Sequence, residues 1–467
     1  MNAPHSTSSP GIDTIVAPAT PRGGAVAVIR LSGPNALPIA ARHYGGAHSL
    51  TNAPDRRLLL AKFHEADGRR LDQCFFVVMR APHSFTGEDV VEIHAHGGPY
   101  VIGRLMEALQ AGGARTAEPG EFSLRAFLNG KMDLEQAEGL ADLIEAESER
   151  AFLAASSLLS GRLGARLKGS WDALLAQRIL LEAAIDFAEE ETPPYDPGRM
   201  AGALADIGAS LRALAETYRQ GHMARDGVRI AIVGFPNVGK STLMNALLQR
   251  PRVLVSDRPG TTRDAIEESF RLGGWKAVLV DTAGLREKSA DLIEQMGMEV
   301  SRERAAEADL LLVLIDAQRS LHPEEHRSID RWRGENRRVL LAANKVDDWT
   351  ESSPETLRIE GLDLVPLSAR HGLGLDRLKR RLLREFEAIG GSSGGEAVVI
   401  TRLRHREALI EATESVDRAI QGLKEGETAD CIAVDLTGAL DALGRITGRV
   451  RSDDLLTEIF SRFCIGK

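Results

Sequence analysis

A glycine-rich loop constrains the fold of this chain more than any other feature. Residues 234–241 read Gly-Phe-Pro-Asn-Val-Gly-Lys-Ser, which fits the pattern G-x-x-x-x-G-K-S. The loop follows an apolar run, 228–233, and precedes a helix-like run, 242–248. In that context the loop N–H groups and the helix N-terminus hold phosphate, Lys240 reaches the outer phosphates, and the Ser241 hydroxyl binds Mg²⁺. The sequence therefore predicts a P-loop nucleotide-binding domain.

Two further segments indicate which base accompanies the phosphates. Residues 344–347 read Asn-Lys-Val-Asp after the apolar run 339–343, and residues 368–370 read Ser-Ala-Arg after the run 364–367. The Asp347 carboxylate can accept two hydrogen bonds from the ring edge of guanine, which adenine cannot offer. The backbone of the second segment suits the guanine oxygen. Together the motifs predict a guanine-nucleotide domain.

A switch motif is expected beside the γ-phosphate. Residues 281–284 read Asp-Thr-Ala-Gly and end the apolar run 277–280. We expect Asp281 to hold Mg²⁺ through water and the glycine N–H of the motif to contact the γ-phosphate. Thr261 and Thr262 lie in the sequence Pro-Gly-Thr-Thr-Arg-Asp, where a switch threonine closes on the metal.

The residue after that motif is Leu285, where many small GTPases have a glutamine that orients the attacking water. An apolar side chain cannot place water, so the hydrolytic group must come from elsewhere. The β–γ bridging oxygen also needs a positive charge, which an arginine or a monovalent cation can supply. Asn237 in the phosphate loop could ligate K⁺, or it could only stabilise the turn. The candidate carboxylates are Glu287, Asp291, Glu294 and Glu299.

Composition favours a protein of a reducing compartment. The 467 residues include 58 basic and 67 acidic side chains, and the net charge of -9 argues against a general polyanion binder. The cysteines Cys74, Cys431 and Cys464 are widely spaced and odd in number. The polar N-terminus has no signal-peptide core, and the longest apolar run, 310–315, is too short to span a bilayer. We expect a cytoplasmic protein.

The first half of the chain predicts a β-rich domain followed by helices. Residues 1–130 contain short β-type runs at 24–31, 74–79 and 90–94. Residues 131–225 predict helices, and Asp133 with Gln136 is a candidate capping pair. One apolar stripe recurs at every fourth position of a long helix. Its members are Leu167, Trp171, Leu175, Ile179, Ala183 and Phe187.

The second half predicts a nucleotide domain inserted into a helical bundle. Residues 226–389 alternate strands and helices, as a parallel doubly wound sheet requires. A glycine- and serine-rich linker at 390–395 follows, and helices return over 400–463. The chain is therefore expected to be multidomain, of mixed α/β and α+β class, with the second helical part over 390–467.

Several segments outside the nucleotide motifs are similar to one family. The C-terminal residues 464–467 read Cys-Ile-Gly-Lys, and signature-like segments lie at 13–17, 84–92, 119–131 and 133–138. On these segments the chain resembles the bacterial tRNA modification GTPases (MnmE/TrmE) over nearly its whole length. The tail and the Phe-Leu-Asn-Gly-Lys sequence are specific to that family, whereas the nucleotide motifs are shared with all translation-type GTPases.

The resemblance implies an architecture and a reaction. The N-terminal domain would resemble tetrahydrofolate-binding domains and form a homodimer, and the central helical domain would carry the inserted GTPase. With a flavin-containing partner, such proteins install a carboxymethylaminomethyl or aminomethyl group on carbon 5 of the wobble uridine of certain tRNAs. Methylene-tetrahydrofolate (or its 5-formyl analogue as a ligand) enters as the one-carbon cofactor, FAD belongs to the partner, and GTP hydrolysis requires K⁺ and Mg²⁺.

The resemblance also assigns roles to single residues. Folate would contact Arg30, Glu92, Lys131 and Lys467. K⁺ would be held by Asn237, Ser256, Arg258 and Thr261, and Mg²⁺ by Ser241 and Thr262. Glu294 would be the catalytic carboxylate. Cys464 is expected to lie in a functional site, but no covalent chemistry is assigned to it. The guanine-nucleotide contacts would be Asn237, Val238, Gly239, Lys240, Ser241, Thr242, Ser256, Asp257, Arg258, Pro259, Gly260, Thr261, Thr262, Asp281, Thr282, Ala283, Gly284, Asn344, Lys345, Val346, Asp347, Ser368, Ala369 and Arg370.

Two alternatives stay open at this point. A regulatory ribosome-assembly or RNA-binding GTPase switch would carry the same nucleotide motifs, but it would not need the folate-like half or the C-terminal tail. A set of basic residues could face tRNA or could be a solvated helix face. These residues are Arg402, Arg404, His405, Arg406, Arg445, Arg449 and Arg451.

Overall fold

The computed structural model describes residues 13–21, 23–186, 195–248, 268–280, 308–335, 337–350, 352–391, 398–450 and 452–466. The chain divides into two compact units, each of which contains a seven-stranded sheet. The first unit comprises residues 1–141, 158–208 and 411–467, and the second comprises 142–157 and 209–410.

Secondary structure in the described ranges is numbered in chain order. The strands are β1 (Ile15–Pro18), β2 (Val26–Ser32), β3 (Tyr44–Gly45), β4 (Leu59–His64), β5 (Arg70–Met79), β6 (Val90–His96), β7 (Arg115–Thr116), β8 (Val228–Val233), β9 (Glu268–Leu272), β10 (Trp275–Leu279), β11 (Leu310–Asp316), β12 (Val339–Asn344), β13 (Leu357–Ile359) and β14 (Leu362–Pro366). The helices are α1 (Ala36–Arg42), α2 (Pro99–Ala111), α3 (Glu121–Leu128), α4 (Leu134–Glu145), α5 (Glu149–Leu159), α6 (Arg162–Asp186), α7 (Pro197–Glu216), α8 (Tyr218–Asp226), α9 (Lys240–Leu248), α10 (Pro323–Gly334), α11 (Leu375–Gly390), α12 (Leu403–Glu425), α13 (Ala429–Thr447) and α14 (Asp453–Ser461).

The sheet of the first unit has the strand order β3-β4-β5-β6-β2-β1-β7. All its pairings are antiparallel except that of β1 with β7. Alternation along β2 buries Ile29 and leaves Arg30 partly exposed, because successive strand residues face opposite sides of a sheet. Helices α1 and α2 cover the buried side and contribute Ile39 and Leu105 to the core. The β-type runs predicted in this region are confirmed as β2, β5 and β6.

The long helix predicted near residue 170 is confirmed as α6, but its buried face was predicted wrongly. The buried positions are Leu163, Leu167, Leu174 and Leu181, of which the last three are seven residues apart, whereas Ile179 is 53% exposed. Steps of four residues advance the direction of a side chain by about 40° beyond a full turn. A run of such steps therefore winds around the helix, whereas steps of seven stay on one face.

The predicted capping pair before α4 forms in the structure. The Gln136 side-chain oxygen accepts a hydrogen bond from the Asp133 backbone N–H at 2.9 Å. This bond satisfies one of the donors that the first turn of a helix leaves without an intrahelical partner.

The sheet of the second unit has the strand order β13-β14-β12-β11-β8-β10-β9. The five inner strands are parallel, as predicted for a doubly wound sheet. The edge strands β9 and β13 pair antiparallel with their neighbours. Because the parallel strands share one direction, their carboxyl ends place the phosphate loop and residues 344–347 and 368–370 at the same edge.

Candidate functional site

The phosphate loop joins β8 to α9 in the strand–loop–helix arrangement predicted from sequence. Asn237 has φ 62° and Gly239 has φ 96°. A Cβ atom at Gly239 would lie 2.3 Å from the Asn344 Nδ2 atom, so this turn has no room for a side chain. The close approach leaves the loop N–H groups and the α9 N-terminus as a compact cradle of the kind that binds phosphate.

Lys240 is the cation of this cradle. Its Nζ donates hydrogen bonds to the Gly234 and Phe235 carbonyl oxygens, each at 2.8 Å. Burial lowers the pKa of Lys240, because desolvation penalises the charged ammonium. An ammonium held in partial burial interacts more strongly with a phosphate than one in bulk water.

Asn344 connects the phosphate loop to the base-recognition loops. Its Nδ2 donates to the Val238 carbonyl at 2.7 Å, and its Oδ1 accepts from the Ala369 N–H at 2.9 Å. The side chain is buried, with 3% of its surface exposed. One amide therefore fixes the spacing between the phosphate cradle and both loops that were predicted to meet the base.

Asp347 stands on the exposed side of those loops, where its carboxylate is oriented by Ser368. The fully buried Ser368 hydroxyl donates to Asp347 Oδ1 at 2.5 Å and also accepts a bond from the His371 N–H at 3.3 Å. This hydrogen bond holds one oxygen of the Asp347 carboxylate and restricts the orientation of the carboxylate. A fixed carboxylate is suited to accept paired N–H donors from a guanine edge.

Lys345 is held by Asp316, a residue that the sequence analysis missed. The Lys345 Nζ lies 2.7 Å from Asp316 Oδ2, and Lys345 has φ 71°. Burial raises the pKa of Asp316, but the hydrogen bonds from Lys345 and the Gln318 N–H, together with the charges of Lys345 and Arg319, hold the pKa below its ordinary value. The signal in the sequence is an aspartate at the end of an apolar strand, the position at which parallel α/β sheets place ligand-binding groups.

The remaining predicted nucleotide residues fall into two groups. Ser241 and Thr242 are exposed in the first turn of α9, Val346 is buried, and Arg370 is exposed beside Ala369. Other predicted residues lie outside the described residues. These are Ser256, Asp257, Arg258, Pro259, Gly260, Thr261, Thr262, Asp281, Thr282, Ala283, Gly284 and the candidate carboxylate Glu294.

The folate candidates Arg30 and Glu92 are directly opposite each other on β2 and β6. Arg30 Nη2 lies 2.8 Å from Glu92 Oε1, and the side chains are 22% and 18% exposed. The Arg30 guanidinium carbon lies 5.6 Å from the Phe85 ring centroid and 5.7 Å from that of Phe122. The carboxylate, the guanidinium and the half-buried Phe85 ring make a partly exposed site with polar and aromatic surfaces, above the fully buried Phe122 ring.

The C-terminal tail lies against the neighbouring strand. The Cys464 carbonyl accepts a bond from the Gly120 N–H at 3.4 Å, and Ile465 forms an antiparallel bridge with Pro119. Gly466 has φ 93°, and a Cβ there would lie 2.0 Å from the Pro18 carbonyl oxygen. Gly466 therefore lies beside β1, the strand whose Ala17 is the cross-strand partner of Arg30 on β2.

Of the two lysines predicted to contact folate, only Lys131 lies among the described residues. Lys131 is exposed, and its Nζ donates to the Pro82 carbonyl oxygen at 2.9 Å. Its stem is close enough to Gly87 that an added Cβ there would meet Lys131 Cδ at 3.4 Å. Lys467 lies outside the described residues, and Cys464 is exposed.

Deleting residues 464–467 should weaken folate binding and abolish tRNA modification while GTP turnover stays nearly intact. Each lost charge-assisted hydrogen bond should cost about 1.5–3 kcal/mol of binding free energy. Gly466→Ala should act like the deletion, because its Cβ would collide with Pro18 although Lys467 is kept. Cys464→Ala is the matched control, because it changes a tail side chain but should leave the tail seated against Pro18. Folate titration and GTP turnover on the same preparations decide the matter: loss of turnover with unchanged folate affinity would assign the tail to the nucleotide domain.

A buried ionic network lies beneath the family-like N-terminal segments. Arg125 is 1% exposed and pairs with Asp13 at 2.7 Å, Glu88 at 3.1 Å and Glu121 at 2.9 Å. Arg115 joins the network through Asp13 and Glu121. All of these residues except Arg115 fall in segments 13–17, 84–92 and 119–131, so part of that family-like pattern maintains the fold.

Arg125→Met should destabilise β1 locally by about 3–5 kcal/mol at neutral pH, because it leaves Glu88 without its cation and Asp13 and Glu121 with Arg115 alone. Burial raises the pKa of Asp13 and of Glu121, but hydrogen bonds from Arg115 and Arg125 outweigh it and hold both pKa values below their ordinary ones. Such groups stabilise the fold above pH ~4, and that contribution is lost as pH falls through the lowered values. The variant should therefore lose less stability on acidification than the wild type.

Native-state hydrogen exchange of the β1 and β2 amides measures this local stability. Arg115→Met is the matched control, since Arg115 is 43% exposed and its ion pairs should contribute at most ~1 kcal/mol. Equal exchange protection in the two variants would show that the burial of Arg125 does not contribute to the local stability of β1.

Neither alternative left open for the basic residues near the C-terminus holds for Arg402 and His405. Arg402 is mostly buried and pairs with Asp142 at 2.7 Å, and His405 is fully buried. Arg406 lies over the Tyr218 ring at 5.5 Å. Arg402 and His405 therefore face the protein interior, whereas Arg406 is exposed. Arg445 pairs with Glu411, Arg449 is exposed, and Arg451 lies outside the described residues.

A search of the described ranges finds no helix that combines the length and apolar character needed to cross a membrane. Cys74 is buried, and Cys431 and Cys464 are exposed. Burial raises the pKa of Cys74 to about 12, with the Asp72 charge acting in the same direction. A thiol with so high a pKa is protonated at neutral pH and has little reactivity.

The fold and these loops define a P-loop GTPase domain. The family model described as the MnmE helical domain matches residues 134–464, and the model of the GTP-binding protein TrmE N-terminus matches residues 14–131. The chain belongs to the MnmE family of tRNA modification GTPases.

Individual relatives match over almost their full length. The tRNA modification GTPase MnmE of Syntrophotalea carbinolica is 40% identical and covers 97% of this chain and 99% of its own length. Its counterpart from Moorella thermoacetica is 42% identical with the same coverage. Among solved structures, a variant of Era from Aquifex aeolicus bound to GDP and AlF4⁻ is 26% identical over 40% of this chain and 66% of its own, at a TM-score of 0.26. That TM-score is too low for the likeness to bear on function.

Proposed function

We propose that this chain is a K⁺-dependent GTPase which, with a flavoprotein partner, adds a carboxymethylaminomethyl or aminomethyl group to carbon 5 of the wobble uridine of certain tRNAs. The observation that carries the proposal is that one chain of this family combines two sites. One is the set of loops that Asn344 connects to the phosphate cradle, and the other is the C-terminal tail seated on Pro18 of β1, which pairs with the strand that carries Arg30.

In the nucleotide site, Lys240 and the loop N–H groups neutralise the phosphates, and Asp347 selects guanine. Bound Mg²⁺ and K⁺ would supply positive charge to the phosphate oxygens, with Ser241 and Asn237 among their ligands. Asn237 is exposed at the turn of the loop, and a side-chain amide oxygen is a suitable donor for a hard cation. The other proposed cation ligands, including Thr262, and the catalytic Glu294 lie outside the described residues.

In the N-terminal site, the donor set fits a reduced folate. The Glu92 carboxylate can accept hydrogen bonds from the amino edge of a pterin, and the half-buried Phe85 ring offers aromatic surface. Arg30 holds Glu92 in place, and Lys131 with the tail lysine can pair with the glutamate carboxylates. When bound, methylene-tetrahydrofolate would supply the one-carbon unit. The same proposal includes a homodimer formed through this domain and a flavoprotein partner. It also includes domain boundaries at residues 130, 225 and 389.

Reconstitution tests the proposal in vitro. The purified chain, the flavoprotein, unmodified tRNA, methylene-tetrahydrofolate, GTP and either glycine or ammonium are incubated in KCl, and nucleosides are analysed by mass. We expect a new substituent on the wobble uridine that needs every component. Product formation that is unchanged when GTP or this chain is omitted would refute the proposal.

A further inference from the structure

A surface cavity of about 230 Å³ lies in the first unit, between α6 and the end of α13. Its lining includes Trp171 and Lys168 from α6, Thr447 and Arg449 from the end of α13, and Asp133. The volume is smaller than the roughly 300–1,000 Å³ of sites that enclose drug-sized ligands. It suits one flat heterocycle, and neither the nucleotide site nor the tail site uses it.

The cavity contains a stack of two flat groups. The Arg449 guanidinium carbon lies 4.5 Å from the Trp171 ring centroid, the arrangement of a cation–π pair. Arg449 is exposed, and no carboxylate of the described residues forms an ion pair with it. The guanidinium therefore lies over the indole and, because it is exposed, can also meet a ligand.

The surroundings of the stack are locally basic although the chain is acidic overall. Arg162, Arg166 and Lys168 are exposed on the first turns of α6, and Lys168 pairs with Asp172 at 2.5 Å. A local basic surface on a chain of net charge -9 concentrates attraction for polyanions at one place. The Asp133 carboxylate at the cavity edge would repel a bare phosphate but can accept an N–H from a base.

We propose that this cavity receives one unstacked base of the tRNA, an inference that rests on the proposed function. The base continues the stack on the Arg449 guanidinium, Asp133 accepts a base N–H, and Lys168 meets the adjoining phosphate. Proteins commonly recognise single-stranded RNA by stacking splayed bases on aromatic rings or guanidinium planes. The combination of a stack, a carboxylate and a lysine favours a nucleotide over an acidic peptide, which offers no flat ring.

Two variants test the separate parts of this contact in the full chain. Trp171→Leu should weaken binding of an unmodified tRNA transcript by about ten-fold without changing the salt dependence, since stacking is not ionic. Lys168→Gln should weaken binding and lower the slope of log affinity against log salt by about one, because it removes the cation that meets the phosphate. Arg358→Gln removes another exposed charge that is paired with a carboxylate, on β13, and should change neither. GTP turnover and melting temperature should match the wild type in all three, and Trp171→Phe should restore most of the affinity.

Fluorescence anisotropy over a KCl series gives the affinities, with uridine monophosphate and a polyglutamate peptide as competitors. Wild-type affinity and slope in both cavity variants would overturn the inference while leaving the proposed function intact. Uridine monophosphate binding as tightly as tRNA would make the cavity a mononucleotide site instead, and polyglutamate binding that depends on Trp171 would assign it to an acidic protein. If the wild-type chain neither binds nor modifies tRNA, the proposed function fails and the inference fails with it.

Discussion

GTP turnover by the chain should rise by roughly two to three orders of magnitude when KCl replaces NaCl at the same ionic strength. The developing charge on the β–γ bridging oxygen needs a cation, and removing one such electrostatic contact typically costs 10²–10³ in rate. Asn237 is an exposed amide at the turn of the phosphate loop, where φ is 62°. A K⁺ ion held there would take the part that an arginine has in other GTPases.

Asn237→Gly separates the two roles left open for this residue. Glycine adopts positive φ without strain, so the turn is kept while the amide oxygen is removed. We expect the variant to bind GTP but to lose K⁺ stimulation. Asn245→Ala, an equally exposed asparagine on α9, should keep it. Equal turnover of the wild type in KCl and NaCl would refute the cation role, and full K⁺ stimulation of Asn237→Gly would reduce Asn237 to a turn residue.

Asp347→Asn should reverse the base preference of the nucleotide site. Sites built to hydrogen-bond a substrate reject an analogue that lacks the matching group by roughly 10⁴–10⁵, so a loss of GTP affinity by several orders of magnitude is expected. The asparagine NH₂ can donate to the second carbonyl of xanthine, which a carboxylate cannot do. Xanthosine triphosphate should therefore become the preferred substrate. Ser368 should still orient the side chain, because its hydroxyl can donate to the amide oxygen.

The neighbouring residue provides the control for this change. Asp348→Asn alters the net charge by the same amount at an exposed position one residue away, and it should leave GTP preferred. Competition of guanosine and xanthosine triphosphates for each variant measures the switch. An Asp347→Asn protein that still prefers GTP by the wild-type margin would place Asp347 away from the base.

The nucleotide domain was largely predictable because its motifs each sit at the end of a strand. The apolar runs before Gly234, Asn344 and Ser368 became β8, β12 and β14, and parallel order then brought the loops together. The bridging role of Asn344 was not predictable. A sequence shows that an asparagine is present, but only the folded geometry shows its amide reaching both Val238 and Ala369.

Packing that depends on tertiary context was predicted less well. The stripe chosen for α6 followed a four-residue repeat, whereas burial follows Leu167, Leu174 and Leu181. Local sequence gives a helix its period but not the direction from which its neighbour approaches. The burial of Arg402 and His405 was not predicted for the same reason. Charged residues are expected on the surface unless the fold brings them a partner, as Asp142 is for Arg402.

The N-terminal half shows why family-like motifs need a structure to interpret them. Segments 84–92 and 119–131 contain both candidate ligand contacts and members of the Arg125 network. The sequence alone could not separate Glu92, which faces Arg30 on the partly exposed side, from Glu88, which pairs with a buried guanidinium. The seat of the tail on Pro18 joins residues more than 400 positions apart, a distance over which no local pattern acts.

Nucleoside mass spectrometry of tRNA from a strain that lacks this protein tests the central claim most directly. Wobble uridines that carry the carboxymethylaminomethyl or aminomethyl group in the parent strain should revert to forms without it. Expression of the wild-type chain should restore them, whereas the chain lacking residues 464–467 should not. Wobble uridines that are unchanged in the deletion strain would contradict the account.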